Sequence, residues 1–295
     1  MMVTRSTQLT LAGTANRSLQ TAMTELARLQ DQASSQRAIT RPSDDPRATA
    51  EALSVRSEQR AVAQFQRNAD NAQGWLTTVD RALGSATSVL QRARDLAVQG
   101  ANDGALSPAA REGLAAEFEG LRDDLLTQAN TAYLGRSVFA GDSAAGLAVD
   151  AAYDFTGTGT APVTRRVDEG RSVRVDADGA SIFGQGAAST FALLDAIAAD
   201  LRAGIPIRDR IDEVDARLTG VVTAHAEIGS RQTQLDRTVA ALASREVAIE
   251  TQRSAVEDVD LAKVILDLTV QSTVYQSALA VTARVLPPTL MEFLR

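Results

Sequence analysis

The fold is decided by residues 211–256, which run IDEVDARLTGVVTAHAEIGSRQTQLDRTVAALASREVAIETQRSAV. Alternating steps of three and four residues meet one mostly apolar stripe, the heptad pattern of a helix that packs lengthwise on other helices. The stripe consists of Ile211, Val214, Leu218, Val221, His225, Ile228, Gln232, Leu235, Val239, Leu242, Glu246, Ile249, Arg253 and Val256. No proline interrupts it, so we predict one continuous helix. Because a narrow stripe cannot stabilise an isolated helix, this helix needs partners.

Four positions of this stripe are polar, namely His225, Gln232, Glu246 and Arg253. Polar residues in a helix seam often fix the register of the paired helices, and we predict that register-setting role here. A metal or acid–base role for His225 is disfavoured, because the chain has no second histidine and no cysteine to complete such a site.

Further helices are predicted to supply the partners. Stripes with the same step run over residues 12–33, over 52–97 with a one-residue slip, and over 261–282. Shorter helical patterns follow Ser107–Pro108 and occupy residues 190–203. The first and last stripes lie at opposite ends of the chain, so they can pack on each other and on neighbouring copies.

A capping residue followed by proline marks a helix start, since the first residue caps the helix and proline fits its first position. The chain has two such pairs, Asp45–Pro46 and Ser107–Pro108. Arg41, Pro42, Ser43 and Asp44 form the turn before the earlier start. We interpret Asp44 and Asp45 as turn and capping residues, because no His, Glu or Cys lies nearby to share a metal or acid–base role.

Between residues 142 and 188 the helical period gives way to Gly, Thr and short alternating runs. Strands are predicted at 153–155, 163–167 and 172–175, and Asp178–Gly179 is a hairpin signal. We therefore predict a small β-rich insert, too short for a full sandwich.

Two stretches of this insert resemble ligand loops only in part. Residues 176–179 match the start of a calcium loop but lack the closing glutamate, which favours a hairpin. Residues 157–160 lack the lysine and following helix of a phosphate loop, which favours a simple turn. We predict no catalytic, cofactor or metal site, and hence no enzyme.

Composition excludes several other classes. A formal net charge of −7 disfavours nucleic-acid binding, which needs clustered positive charge. The absence of cysteine rules out disulfides and thiolate sites. We find no signal-peptide core and no apolar run long enough for a membrane span. Aromatic residues make up only 4% of the chain, which favours thin helix–helix seams over a thick core.

Three segments together resemble the landmarks of the flagellin superfamily: residues 34–46, residues 130–141 and residues 254–260. The resemblance covers nearly the whole chain and its motifs are specific. Two positions depart from the family pattern, because Gln36 stands where glycine is common and Ala38 where a basic residue is usual.

Within that superfamily, three stretches are more similar to hook-associated members than to filament flagellins. They are the opening Val3-Thr4-Arg5, the run Arg41-Pro42-Ser43-Asp44-Asp45-Pro46, and the ending at residues 290–295. Filament flagellins usually open with an Asn-rich stretch, which is absent here.

The resemblance implies a mainly α fold, an elongated antiparallel coiled-coil rod with the small β-rich insert projecting outward. It divides the chain into an N-terminal assembly helix (1–45), a first rod part (46–140), the insert (141–189), a second rod part (190–256) and a C-terminal assembly helix (257–295). The terminal helices would assemble through a seam formed by Leu19, Leu26, Leu29, Leu261, Ile265, Leu268, Tyr275 and Leu279.

The resemblance also implies a structural role between the hook and the filament of the bacterial flagellum. The chain would be secreted through the flagellar type III channel and would remain outside the cell. Its partners would be other copies of itself, another hook-associated protein on the hook side, flagellin on the filament side and an export chaperone, with no nucleic acid, membrane or cofactor.

Two alternatives stay open. A short filament flagellin would polymerise alone into long filaments. A soluble coiled-coil scaffold would form a stable, fully helical dimer in solution.

Overall fold

The computed structural model describes residues 2–101, 107–157 and 161–285, and most of them are helical. The helices are α1 (Met2–Ser35), α2 (Pro46–Ala101), α3 (Pro108–Ala129), α4 (Gly179–Phe183), α5 (Thr190–Ala203), α6 (Arg208–Glu257) and α7 (Leu261–Val285). The strands are β1 (Ala132–Tyr133), β2 (Arg136–Ser137), β3 (Thr164–Asp168) and β4 (Arg171–Arg174). The strands form two antiparallel sheets, β1 with β2 and β3 with β4. The predicted class, mainly α with a small β-rich region, is confirmed.

The chain divides into two compact units. The central unit comprises residues 61–245, and the terminal unit comprises residues 1–60 with residues 246–295. Helices α2 and α6 contribute residues to both units. The five-part division drawn from the sequence stays a prediction.

Helix starts follow the predicted capping chemistry. Asp45 accepts hydrogen bonds from two main-chain N–H groups of the first turn of α2, at 3.0 and 2.9 Å. Ser107 accepts one from the N–H of Ala110 at 3.2 Å and starts α3. In both helices a proline occupies the first position, where the absence of an N–H leaves no hydrogen bond unmade.

One hydrophobic core fills the central unit, and much of the small aromatic complement lies in it. The ring of Phe183 is fully buried and lies 5.5 Å from Phe139, 6.3 Å from Phe155 and 5.9 Å from Phe191 between centroids. Phe139 precedes the predicted insert, Phe155 and Phe183 belong to it, and Phe191 belongs to α5. Residues 141–189 thus share one core with residues of α2, α3, α5 and α6.

In each heptad of α6, the sequence predicted that two positions of the stripe would be buried, but the structure buries only one. The buried residues follow at seven-residue intervals and are at most 4% exposed: Val214, Val221, Ile228, Leu235, Leu242 and Ile249. Residues of the alternate position are half-buried or exposed, and Val239 is 41% exposed. The predicted period is correct but the predicted stripe is too wide, because only one side of α6 is covered.

The predicted strand at residues 153–155 is wrong. Tyr153 has a left-handed φ of +64°, and Phe155 makes only an isolated bridge with Val149. The hydroxyl of Tyr153 donates to Asp195 of α5 at 2.6 Å, which ties this loop to a helix instead of a sheet.

The predicted hairpin at Asp178–Gly179 is also wrong. Asp178 caps α4, because its carboxylate accepts a hydrogen bond from the N–H of Ser181 at 3.3 Å. Gly179 is required for space, since a Cβ at this position would lie 2.1 Å from a ring carbon of Phe155. The sequence signal was a glycine needed for close packing, and it was interpreted as a glycine needed for a turn.

A hairpin that the sequence did not predict joins β1 and β2. Its two turn residues, Leu134 and Gly135, both have positive φ, +51° and +78°, as a type I′ turn requires. The other predicted strands, 163–167 and 172–175, match β3 and β4 within a residue. Most of the predicted turn at 157–160 and the ending at 290–295 lie outside the described residues.

Candidate assembly site

The candidate site lies in the terminal unit, where α1 packs along α7. Leu29 is 4% exposed, and Leu19 and Leu26 are half-buried, as the predicted stripe of α1 requires. From α7, Val264 is buried and Leu268 is half-buried. The predicted seam residues of α1 thus lie on its less exposed side, and their role in assembly stays a prediction.

Polar contacts add to this pairing. The side-chain amide of Gln271 in α7 donates to the main-chain carbonyl of Ala22 in α1 at 3.1 Å. Tyr275 is half-buried on the same side of α7. Because a single carbonyl of α1 accepts this bond, the contact favours one axial position of α7 over its neighbours.

The rest of α7 is apolar and open to solvent. Seven large aliphatic residues of this helix are between 41% and 63% exposed: Leu261, Ile265, Leu266, Val270, Val274, Leu279 and Val281. Three members of the predicted assembly seam, Leu261, Ile265 and Leu279, are therefore exposed, whereas the other five are buried or half-buried.

A groove between the two helices continues this exposed apolar surface. Its walls are mostly small or aliphatic residues of both helices: Ala15, Ser18, Val270, Thr273, Val274, Ser277, Ala278, Val281 and Thr282. Small residues allow another helix to approach closely, and exposed apolar patches are typical of surfaces that bind another molecule.

The turn before α2 has the capping geometry expected of its sequence. Asp44 accepts hydrogen bonds from the hydroxyl of Thr40 at 3.0 Å and from the N–H of Arg41 at 2.9 Å. The bond from Arg41 is the main reason that the pKa of Asp44 lies below its usual value. Pro42 and Ser43 are exposed, and Pro46 begins α2.

The segment that leaves α1 pairs with the segment that leads into α7. The N–H of Ala38 donates to the carbonyl of Glu257 at 2.8 Å, and the N–H of Val259 donates to the carbonyl of Gln36 at 3.3 Å. Arg37 and Asp258 face each other as an antiparallel bridge. We call residues 36–38 with 257–259 the joint.

Gln36 is strained in this joint. Its φ is +57°, in the left-handed region that favours glycine, and it follows the last residue of α1. The departure from the family pattern at this position thus has a structural consequence. The side chain of Gln32 donates to the carbonyl of Ala38 at 2.7 Å, which helps to hold the strained backbone.

Glu257 is the buried acid of the joint, with 6% of its surface exposed. Arg56 of α2 donates to both of its carboxylate oxygens, from Nε at 2.6 Å and from Nη2 at 2.9 Å. This bidentate bond is the main cause of a lowered pKa of Glu257, and the charges of Arg253 and Arg37 add to it. The sequence offered no signal for this pair, whose members are far apart along the chain.

Arg253, a predicted register-setting residue, lies at the rim of the same joint. Its guanidinium donates to Glu250 at 2.8 Å and to Asp258 at 3.0 Å, and it lies 3.7 Å from Glu257. The bond to Glu250 is the main reason that the pKa of Arg253 lies above its usual value. Arg253 therefore contacts its own helix and the joint.

The other three predicted register residues lie apart from the joint. In the central unit, His225 Nε2 lies 2.9 Å from Asp80 Oδ1, which links α6 to α2, and both side chains are about one-third exposed. Gln232 is half-buried and Glu246 is exposed. A register role for these residues stays a prediction.

The described part of the terminal unit combines an exposed apolar surface on α7 with the charged groups of the joint. Among the residues that the structure describes, no group of three His, Cys, Asp or Glu side chains could hold a metal ion. None of the described helices is long and apolar enough to cross a membrane.

Two family models match the chain. The bacterial flagellin N-terminal helical region matches residues 7–144, and the bacterial flagellin C-terminal helical region matches residues 211–294. Together these matches cover about three quarters of the chain and include α1, α7 and the joint. The chain belongs to the flagellin superfamily. The superfamily predicted from the sequence is thus confirmed.

Relatives within the flagellin superfamily include both hook-associated proteins and flagellins. The chain is 27% identical over 280 residues to flagellar hook-associated protein 3 of Salmonella typhimurium, a match that covers 86% of this chain and 88% of that protein. It is 25% identical over 267 residues to a flagellin of Halalkalibacterium halodurans, covering 87% of each. Among solved structures, FlgL of Bacillus cereus superimposes with a TM-score of 0.60 at 20% identity, covering 68% of this chain and 99% of that one.

Membership of the flagellin superfamily indicates the role of the protein. The protein is a structural component of the bacterial flagellum, as the sequence predicted. The similarity to a hook-associated protein over most of both chains agrees with the motifs at residues 41–46. The solved structure supports the fold, which is flagellin-like.

Proposed function

We propose that this protein links hook to filament in the flagellum and that it assembles through the α1–α7 pair. One observation carries the proposal: α7 is 25 residues long and keeps an aliphatic face open along its length. A monomer exposes such a face at a cost in free energy, and packing against neighbouring helices removes it from water. In this proposal, the residues of the predicted assembly seam belong to two surfaces, one between α1 and α7 and one on the outer side of α7.

The partners follow from this position in the flagellum. Copies of the protein contact each other through the outer face of α7, another hook-associated protein lies on the hook side, and flagellin lies on the filament side. An export chaperone covers the apolar helices before assembly, because an uncovered aliphatic face promotes aggregation. The protein is secreted through the flagellar type III channel and acts outside the cell.

The test uses two lysine substitutions at equally exposed leucines. Leu266 in α7 is 63% exposed and Leu147 in the central unit is 59% exposed. A strain that lacks its junction protein and carries the wild-type chain should build filaments on its hooks. Leu266→Lys should leave hooks bare and release flagellin into the medium, whereas Leu147→Lys should behave as wild type.

Lysine is well tolerated in helices, so Leu266→Lys is expected to keep α7 helical. Filaments on the hooks of cells that carry Leu266→Lys would contradict the proposed assembly surface. Filaments in the strain that carries no copy of the chain at all would contradict the junction role.

A second candidate is a short filament flagellin, favoured by the 25% identity to a flagellin over 87% of both chains. The two candidates differ in whether purified protein polymerises alone. Electron microscopy of the concentrated protein should show no long filaments if it is a junction protein. The scaffold alternative predicts a stable dimer, which sedimentation would detect.

A further inference from the structure

Glu257 contacts three separate parts of the terminal unit. Its carboxylate accepts both bonds from Arg56 of α2, at 2.6 and 2.9 Å, and lies 3.7 Å from Arg253 of α6. Its main-chain carbonyl accepts the bond from Ala38, in the segment that leaves α1. One residue therefore ties α2, the end of α6 and the exit of α1 together.

The same residue lies just before α7. That helix begins at Leu261, and the bridge between Arg37 and Asp258 lies between it and Glu257. Whatever fixes the backbone at Glu257 consequently fixes the directions in which both terminal helices leave α2 and α6.

We propose that Glu257 is a positioning residue for assembly, which aims α1 and α7 at the neighbouring copies by holding the joint against Arg56. The proposal rests on the proposed function. A helix of 25 residues is about 37 Å long. A change of about 10° in its direction would move its far end by about 6 Å. That is more than half of the spacing between packed helices, so the apolar face of α7 would miss its partner.

Another ion pair across the same two helices provides the control. Arg94 of α2 donates to Asp215 of α6 at 2.6 Å, and both side chains are about half exposed. It resembles the Arg56–Glu257 bond in chemistry, but neither of its residues touches the joint. Exposed pairs of this kind contribute little to stability.

The first experiment measures the joint directly in the purified full-length chain. The protein has no cysteine, so a pair introduced as Arg37→Cys and Asp258→Cys is the only one present. Facing residues of an antiparallel bridge have the Cα separation that a disulfide needs. Oxidation should close a loop of more than two hundred residues, and a non-reducing gel reports its rate.

Adding Glu257→Gln to this pair should slow disulfide formation about tenfold, the change expected when one charge-assisted hydrogen bond is lost. Arg56→Gln should slow it similarly, and the two together should be little worse than either alone, because both remove the same contact. Arg94→Gln should leave the rate unchanged. Equal rates for Glu257→Gln and the parent pair would overturn the proposal.

The second experiment asks whether positioning is what assembly needs. In the strain without its junction protein, Glu257→Gln alone should leave hooks bare, while Arg94→Gln should restore filaments. Combining Glu257→Gln with the cysteine pair, and adding a mild oxidant to the medium after secretion, should restore filaments. A reductant should abolish the rescue.

Three outcomes of this second experiment count against the proposal. Filaments with Glu257→Gln alone would show that the residue is dispensable for assembly. No rescue by the disulfide would show that it acts other than by holding the joint. If the oxidised cysteine pair prevented assembly in a chain that keeps Glu257, the joint would have to open during assembly. If the unmodified chain itself restored no filaments, the proposed function would fail, and the cross-linking rates would still decide what Glu257 does to the joint.

Discussion

The central and terminal units differ in where their apolar residues lie. In the central unit, α2, α3, α5 and α6 enclose a core whose largest members, such as Trp75 and Phe118, are at most 1% exposed. In the terminal unit, Ala22, Leu29 and Val264 are the buried apolar residues among the described side chains of α1 and α7, and most of the large residues of α7 are exposed. The central unit encloses its large apolar residues, whereas the terminal unit leaves an apolar face exposed, which we propose is covered by other copies.

The two units also differ in the kinds of residue that fill them. The aromatic rings lie mainly in the central unit, where a thick core needs large side chains. The terminal helices use Ala, Val and Leu, which pack in thin seams and leave a face for neighbours. Five substitutions, in order of decreasing expected effect, test this difference between the two units.

Phe183→Ala should damage the central unit most. The ring is fully buried against three other phenylalanines, so its removal should lower the free energy of unfolding by about 3 to 5 kcal/mol. Denaturant unfolding followed by circular dichroism measures this loss. Wild-type stability in this variant would mean that the insert does not share the core.

Leu29→Ala should weaken only the α1–α7 pair. The side chain is 4% exposed in a seam that can partly collapse, so we expect a loss of about 2 kcal/mol, the low end for such a change. Hydrogen exchange should quicken in residues 13–35 and 261–283 and stay unchanged in 61–245. Equal quickening in both units would contradict their independence.

Gly179→Ala and Gly113→Ala should change the stability of the protein in opposite directions. A Cβ at Gly179 would lie 2.1 Å from Phe155, so the core must shift at a cost of about 1 to 3 kcal/mol. A Cβ at Gly113, which is exposed in α3, meets nothing within 4 Å, and the change should stabilise by about 0.5 to 1 kcal/mol. Thermal unfolding of both variants checks the pair, and a drop for both would show that helix α3 does not tolerate the added methyl group.

Gln36→Gly should have the smallest effect and should stabilise the joint. Glycine adopts the φ of +57° without strain, so the gain should be about 0.5 to 1 kcal/mol, less the entropy that glycine gains in the unfolded chain. Slower exchange of the Ala38 and Val259 amides would report it. Faster exchange there would mean that the side chain of Gln36 supports the joint.

Much of the fold could be predicted from local sequence. Asp45, Ser107 and their following prolines fixed the helix starts, because a cap bonds only to its own first turn. The alternation of β3 and β4 was equally local. Tyr153 and Gly179 misled the prediction because their roles depend on contacts with Asp195 and with Phe155, which no local pattern encodes. Asp178 is a local cap of α4, but its signal was interpreted as a hairpin turn.

The candidate site divides in the same way. The spacing of Leu19, Leu26 and Leu29 indicated one face of α1, because the helical period alone places them together. Whether Leu268 or Ile265 of α7 packs on that face could not be inferred, since both fit a heptad and only the partner selects one.

The six long helices, the caps of α2 and α3, the heptad period and the superfamily could all be inferred from the sequence, since each depends on residues close together in the chain or on specific motifs. Only the tertiary structure decided which heptad position of α6 is buried, that residues 141–189 enter the central core, and that Arg56 and Glu257 meet. Those outcomes depend on which surfaces are removed from water together, and that is a property of the packed chain as a whole.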